Sequence, residues 1–99
     1  MDRFQPRPMP IEIARMLEDA KLTNKQRRFV LAYLRYLNGS KAARIASYSV
    51  KCAHQQAYEN QRKPKIRRII DKGIELGYTV WAVDPAVIDD VGGRESDKC

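Results

Sequence analysis

The sequence predicts a small all-α domain of about five helices, which contains a helix-turn-helix and ends in a short irregular segment. Its 99 residues supply material for a single core. Apolar residues recur at helical spacing through most of the chain, and capping residues, Gly or Pro separate these stretches. We divide the chain into an extended arm at 1–10, a helical domain at 11–76, and a C-terminal interaction segment with a flexible tail at 77–99. The helix-turn-helix is expected at about 41–61.

The N-terminal arm is rich in proline, which removes backbone donors and disfavours helix in the preceding residue. The first helix is expected from Ile11 to Ala20, and Pro10 is suited to its first turn. Four residues of this helix follow the spacing of a core-facing side, namely Ile13, Met16, Leu17 and Ala20.

The second helix begins at a capping box, in which the Thr23 hydroxyl accepts from the backbone amide of Gln26 and the Gln26 side chain reaches back. It runs to about Leu37, where Asn38-Gly39 ends it because this pair favours left-handed backbone geometry. One continuous apolar stripe is formed by Phe29, Val30, Tyr33, Leu34 and Leu37. We expect Lys25, Arg28 and Arg35 to lie off this stripe.

Two further helices make up the predicted helix-turn-helix. Ser40 is expected to cap a short helix at about Lys41–Ala46, in which small residues permit close helix approach. A break at Ser47-Tyr48 and a second cap at Ser49 precede a helix from Val50 to about Gln61. A short supporting helix, a tight turn and a polar second helix are typical of this motif. The inward face of the second helix is predicted to carry Val50, Ala53 and Ala57.

The last long helix is expected at Lys65–Leu76, with Gly77 ending it. Its predicted core residues are Ile66, Ile69, Ile70 and Ile74. Residues 78–83 are predicted to be extended, and Asp84-Pro85 to start a brief helix that ends near Val91. The apolar stretch Val80-Trp81-Ala82-Val83 can either form a small interface or close the core.

The positive charge is concentrated in the middle of the chain. The protein carries a formal net charge of +7. Residues 1–20 and 73–99 are both net acidic, whereas residues 21–72 hold fourteen Lys and Arg against only Glu59 and Asp71, a net charge of +12. Solvated helices usually alternate Glu with Lys, and this segment has almost no such pairs. The imbalance favours a polyanionic partner, DNA or RNA.

The polar side of the second helix of the motif is the predicted groove-reading surface. The side chains that recur along it are Lys51, His54, Gln55, Tyr58 and Arg62. Glutamine can pair with an adenine edge, lysine can reach guanine or phosphate, and tyrosine can donate to phosphate or stack. The cations expected to hold phosphates are Lys25, Arg28, Lys41 and Arg44. The alternative is that these polar residues serve only to keep an exposed helix in solution.

Several other classes of function are disfavoured. One His and a few acids offer no nucleophile with a base and an orienting carboxylate, and no Walker-type loop is present, so we expect no enzyme activity. We expect no cofactor and no metal, since His54 with two cysteines is too small a ligand set for structural zinc. Cys52 and Cys99 are expected to be reduced thiols. No apolar run is long enough to span a membrane and no signal peptide is recognisable, so the cytoplasm is expected.

The stretch from Leu22 to Ile74 resembles the small subunit of bacteriophage terminase. The family pattern is of the type L-T-x-K-Q-x-x-F, N-x-x-x-A-A, A-G-Y-S, A-x-Q and N-P-x-[VI]. The matching segments are Leu22-Thr23-Asn24-Lys25-Gln26 with Phe29, Asn38-Gly39-Ser40-Lys41-Ala42-Ala43, Ala46-Ser47-Tyr48-Ser49, Ala53 with Gln55, and Pro64-Lys65-Ile66. Ser47 and Lys63 depart from the glycine and asparagine of the pattern.

This resemblance implies a protein of a phage or prophage, acting in the host-cell cytoplasm, that recognises viral double-stranded DNA through the helix-turn-helix. It also implies a homo-oligomer and delivery of DNA to the terminase large subunit, an ATPase-nuclease that packages the genome. By position, the DNA-contacting helix is Val50 to Gln61 and the supporting helix is Lys41 to Ala46. Two alternatives remain: a helix-turn-helix regulator of transcription or recombination, and an adaptor that binds an acidic protein partner.

Overall fold

Residues 8–46, 50–80 and 82–89 are described by a computed structural model of the chain. Within these residues the protein forms six helices and no strand, which confirms the predicted all-α class. The helices are α1 (Ile11–Asp19), α2 (Asn24–Tyr36), α3 (Gly39–Ile45), α4 (Val50–Arg62), α5 (Pro64–Glu75) and α6 (Pro85–Asp89).

Helix α2 is the centre of the fold. It packs against α3, α5 and α6, while α4 packs against α3 and α5, and α1 packs against α5. Because helices pack around α2, Leu31 and Ala32 are buried together with Phe29, Val30 and Leu34. The buried apolar surface of α2 is therefore wider than the predicted stripe. Leu37, by contrast, is exposed.

The two ends of α2 differ in how well they were predicted. The capping box is confirmed, since Thr23 Oγ1 accepts from the Gln26 amide and Gln26 Oε1 accepts from the Thr23 amide, both at 3.1 Å. At the other end, Leu37 itself adopts left-handed geometry with φ 53°. Asn38 then caps α3, its Oδ1 accepting from the Lys41 amide at 3.0 Å. The predicted roles of Asn38 as terminator and of Ser40 as cap were therefore wrong.

Helix α5 buries Ile66, Ile69 and Ile70 as predicted, but Ile74 is half exposed. The inward position of that turn is taken by Gly73, whose backbone lies against the buried Leu34 side chain of α2. A β-carbon at Gly73 would lie 2.6 Å from Leu34 Cδ2. The glycine therefore lets α5 approach the central helix closely.

The turn after α5 is a Schellman motif, which confirms that Gly77 ends the helix as predicted. Gly77 has φ 72°, the Tyr78 amide donates to the Gly73 carbonyl at 2.8 Å, and the Gly77 amide donates to the Ile74 carbonyl at 3.1 Å. Glycine reaches this left-handed geometry without the steric cost of a β-carbon.

Residues 78–83 were predicted to be extended, but the described part of this stretch, 78–80 and 82–83, forms turns instead. The amides of Ala82 and Val83 both donate to the Thr79 carbonyl, at 2.7 and 3.0 Å. Ala82 and Val83 are buried in the core with Tyr78 and Ile88, so these two residues close the core. Trp81 lies outside the described residues, and an interaction role for the segment stays a prediction.

The brief helix predicted at Asp84-Pro85 is confirmed as α6, and Asp84 Oδ1 accepts from the Ala86 amide at 2.9 Å. The predicted break and cap at 47–49, the arm at 1–7 and the tail at 90–99 lie outside the described residues. Cys52 is buried and disulfide-bonded, so the expectation of a reduced thiol at this position was wrong. Cys99 also lies outside the described residues.

Candidate nucleic-acid interface

The groove-reading side predicted on α4 is exposed to solvent. All five predicted side chains lie on the open surface of α4, and they are Lys51, His54, Gln55, Tyr58 and Arg62. Tyr58 is 59% exposed although it is aromatic. The buried side of the helix is formed by Ala53 and Ala57 as predicted, and also by Cys52 and Asn60. Asn60 follows Ala57 by three residues, a spacing that places it inward but that its polarity concealed.

Helix α3 lies close against α4 because small residues separate them. Ala42, Ala43 and Ala57 are all buried. At the start of α3, a β-carbon on Gly39 would lie 2.6 Å from Gln61 Nε2 and 3.3 Å from the Ala57 β-carbon. The Gln61 side chain is held there by a 3.1 Å hydrogen bond to the Ala57 carbonyl. The lack of a side chain at Gly39 therefore lets the start of α3 lie close against α4.

A depression of about 230 Å³ opens where α3 begins beside α4. His54 faces it, and its Nδ1 lies 3.4 Å from Ser40 Oγ. Tyr58 and Gln61 form the α4 wall, opposite Asn38 at the start of α3. The predicted groove-reading side therefore continues from α4 onto the first turn of α3.

Two cations of this surface rest on aromatic rings. Lys41 Nζ lies 4.3 Å from the centroid of the Tyr36 ring, and Arg62 Cζ lies 5.3 Å from the centroid of the Tyr58 ring. Such contacts hold a flexible cationic side chain near one position while leaving its charge available to an anion. Arg44 is exposed on α3.

Lys25 does not belong to this exposed surface, contrary to its predicted phosphate-holding position. It is only 6% exposed, because it stands four residues before the fully buried Phe29 and so shares the inward face of α2. Arg28 is partly buried and engaged in an interaction within the protein. Arg35 is also used internally, since its Nη1 donates to the carbonyls of Val80 and Val83 at 3.1 and 2.8 Å.

One acidic residue on the exposed side of α4 was counted in the charge of the segment but was not assigned to the site. Glu59 is exposed, and its Oε1 accepts a 3.4 Å hydrogen bond from Gln55 Nε2. The four-residue separation of Gln55 and Glu59 was the signal that places both on one face. Among the described residues, the acids that form ion pairs are Asp71 with Arg67 and Glu75 with Lys72, both on α5.

Within the described part of the chain, no three His, Cys, Asp or Glu side chains are grouped where they could hold a metal ion. None of the described helices has the length and apolar character of a membrane span. Burial, aided by the charge of Asp84, raises the pKa of Tyr78.

Searches among curated proteins and among solved structures found no match to this chain. The family model described as "Terminase small subunit" matches residues 22–76, which include α2 to α5 and more than half of the chain. The match agrees with the resemblance noted between Leu22 and Ile74. The chain therefore belongs to the terminase small subunit family.

Proposed function

We propose that this protein is the DNA-recognition subunit of a phage or prophage terminase and that it binds duplex DNA through α3 and α4. In this proposal the two helices form a helix-turn-helix, with α4 in the major groove. The observation that carries it is the joint exposure of five polar or cationic side chains on α4, beside an α3 whose Lys41 and Arg44 are also exposed. The small residues between the helices support a rigid relative orientation.

The roles of the side chains follow from their chemistry. Gln55 and Lys51 contact base edges, and Tyr58 and His54 contact a base or the nearby backbone. Lys41, Arg44 and Arg62 hold phosphates, with Arg28 at the margin. Lys25 is left out of the proposed set because it is buried.

We further propose that the protein has no enzyme activity of its own and acts in the cytoplasm of the bacterial host. It assembles as a homo-oligomer and transfers the bound DNA to the large ATPase-nuclease subunit. Two independent measurements test these partners. Native mass spectrometry should detect an oligomer, and immobilised protein should retain purified large subunit. A monomer that does not retain the large subunit would contradict this part of the proposal.

Binding of a fluorescent duplex over a range of salt concentrations tests the DNA-binding function. With the three to four phosphate contacts assigned above, log K should fall with log salt at a slope of about −3 to −4. Absence of duplex binding, or an affinity that does not depend on salt, would contradict the proposal. If an acidic protein were the partner, duplex DNA would neither bind nor compete with it.

A further inference from the structure

We infer that Glu59 is a specificity-determining residue of the proposed DNA surface, and that it selects cytosine by accepting a hydrogen bond from the cytosine N4 amino group. The inference rests on the proposed function and deepens it. It starts from one observation: Glu59 is the single acidic residue of α4 and is exposed beside Gln55, one of the proposed base-reading side chains.

Within the described part of the chain, no cation forms an ion pair with the Glu59 carboxylate. Among the described residues, its polar contact is the 3.4 Å hydrogen bond from Gln55 Nε2, and it forms no ion pair. Arg62, three residues further along α4, lies over the Tyr58 ring instead. A full negative charge therefore stands within a surface that is otherwise neutral or cationic.

Such a charge opposes binding to DNA in general, because phosphates repel it and because a carboxylate loses solvation when it enters a groove. The unfavourable contribution is offset only where DNA offers a hydrogen-bond donor to the carboxylate. In the major groove the donors are the amino groups of cytosine and adenine. Adenine presents its N7 acceptor beside the amino group, whereas the cytosine edge presents no acceptor. Cytosine is therefore the base that a carboxylate at this position favours.

The hydrogen bond between Gln55 and Glu59 allows each of the two side chains to contact a different base. One N–H of the Gln55 amide points to Glu59, which leaves the other N–H and the amide oxygen for a base. A donor next to an acceptor matches the adenine edge. The two side chains together read neighbouring bases, adenine by Gln55 and cytosine by Glu59.

Selection from a duplex pool with a randomised central segment tests the inference. Wild-type protein should enrich cytosine at one position, with a preference of about ten-fold over the other bases. Glu59→Gln should lose this preference and bind the unselected pool roughly two- to five-fold more tightly, because a repulsive charge has been removed. The control is Glu18→Gln, which makes the same charge change at an exposed position of α1 and should behave as wild type.

Two further variants separate direct reading from an indirect effect. Glu59→Asp keeps the charge but shortens the side chain, so it should weaken the cytosine preference while leaving affinity for the unselected pool unchanged. Gln55→Ala should retain the cytosine preference if Glu59 contacts the base itself. Loss of that preference in Gln55→Ala would overturn direct reading, since Glu59 would then act only by orienting Gln55.

The remaining outcomes distinguish failure of the inference from failure of the proposed function. Wild-type binding with no cytosine preference, or a preference unchanged in Glu59→Gln, overturns the inference and leaves DNA binding intact. A wild-type protein that does not bind the pool at all overturns both.

Discussion

The Arg35 guanidinium at the end of α2 donates a 2.8 Å hydrogen bond to the Val83 carbonyl, 48 residues further along the chain. The same nitrogen donates to the Val80 carbonyl. Arg35 is one of the fourteen cations of residues 21–72. Its side chain thus joins the central helix to the segment before α6. The segment follows the family match at 22–76 and shares its core through Tyr78 and Val83.

Replacing Arg35 with alanine should lower the free energy of unfolding by about 2–3 kcal/mol. The substitution leaves two carbonyls without their charged donor, in partly buried surroundings. Urea denaturation measures the change. Arg44→Ala removes an exposed arginine from α3 and should alter stability by no more than about 0.5 kcal/mol. Equal effects of the two substitutions would show that Arg35 does not hold the segment.

Gly73→Ala should destabilise the protein by about 1–3 kcal/mol, although alanine is the better helix former. The added β-carbon would lie 2.6 and 2.8 Å from the two terminal carbons of Leu34, which is fully buried and so has little room to move. Thermal or urea denaturation measures the effect. In a Leu34→Ala background the same substitution should cost much less, because the clashing atoms are gone. A stabilising effect of Gly73→Ala alone would contradict the close approach of α5 to α2.

Asn38→Ala should lower the free energy of unfolding by about 1 kcal/mol, the usual effect of losing an N-cap side chain. Its Oδ1 accepts from the Lys41 amide, which has no carbonyl partner in the first turn of α3. Thr23→Ala, which removes the cap of α2, provides the comparison and should have a similar effect. If Ser40 were the cap instead, Ser40→Ala would destabilise the protein and Asn38→Ala would not.

Stability at alkaline pH should depend on Tyr78. Burial and the Asp84 charge raise the pKa of Tyr78 above its ordinary value of 10.0 in the folded protein. The folded state therefore holds this proton more tightly than the unfolded state. The resulting contribution to the free energy of unfolding is fully present below pH 10 and is lost as pH rises through the folded-state pKa.

Tyr78→Phe should therefore lose less stability than wild type when pH is raised above about 10. At neutral pH it should be nearly as stable, because within the described residues the Tyr78 hydroxyl is buried without a hydrogen-bond partner. Unfolding measured between pH 7 and pH 11 compares the two proteins. Parallel loss of stability in both would contradict this assignment to Tyr78.

Much of the fold follows from local sequence signals. The capping box at Thr23, the glycine stop at Gly77 and the spacing of Ile66, Ile69 and Ile70 each determine local structure through contacts within a few residues. The errors arose where tertiary packing decides. Gly73, and not Ile74, faces inward because only a glycine fits against Leu34. No local pattern in the sequence reveals that Leu34 lies there.

The sequence predicted the exposed side of the candidate site correctly but not the position of every cation. Helical periodicity was sufficient to place Lys51, Gln55 and Tyr58 on the exposed side of α4. Charge alone misplaced Lys25, because the long aliphatic stem of lysine allows it to occupy an inward position beside Phe29. Contact of these exposed residues with DNA stays a prediction.

The central claim is that the exposed side of α4 contacts duplex DNA, and a gel-shift titration of Lys51→Ala/Gln55→Ala tests it most directly. Both residues are exposed, so circular dichroism should show an unchanged fold. The control is Arg15→Ala, which removes a cation from an exposed position of α1. We predict that the double variant binds at least about ten-fold more weakly than wild type while the control binds normally. Unchanged affinity of the folded double variant would contradict the proposed surface.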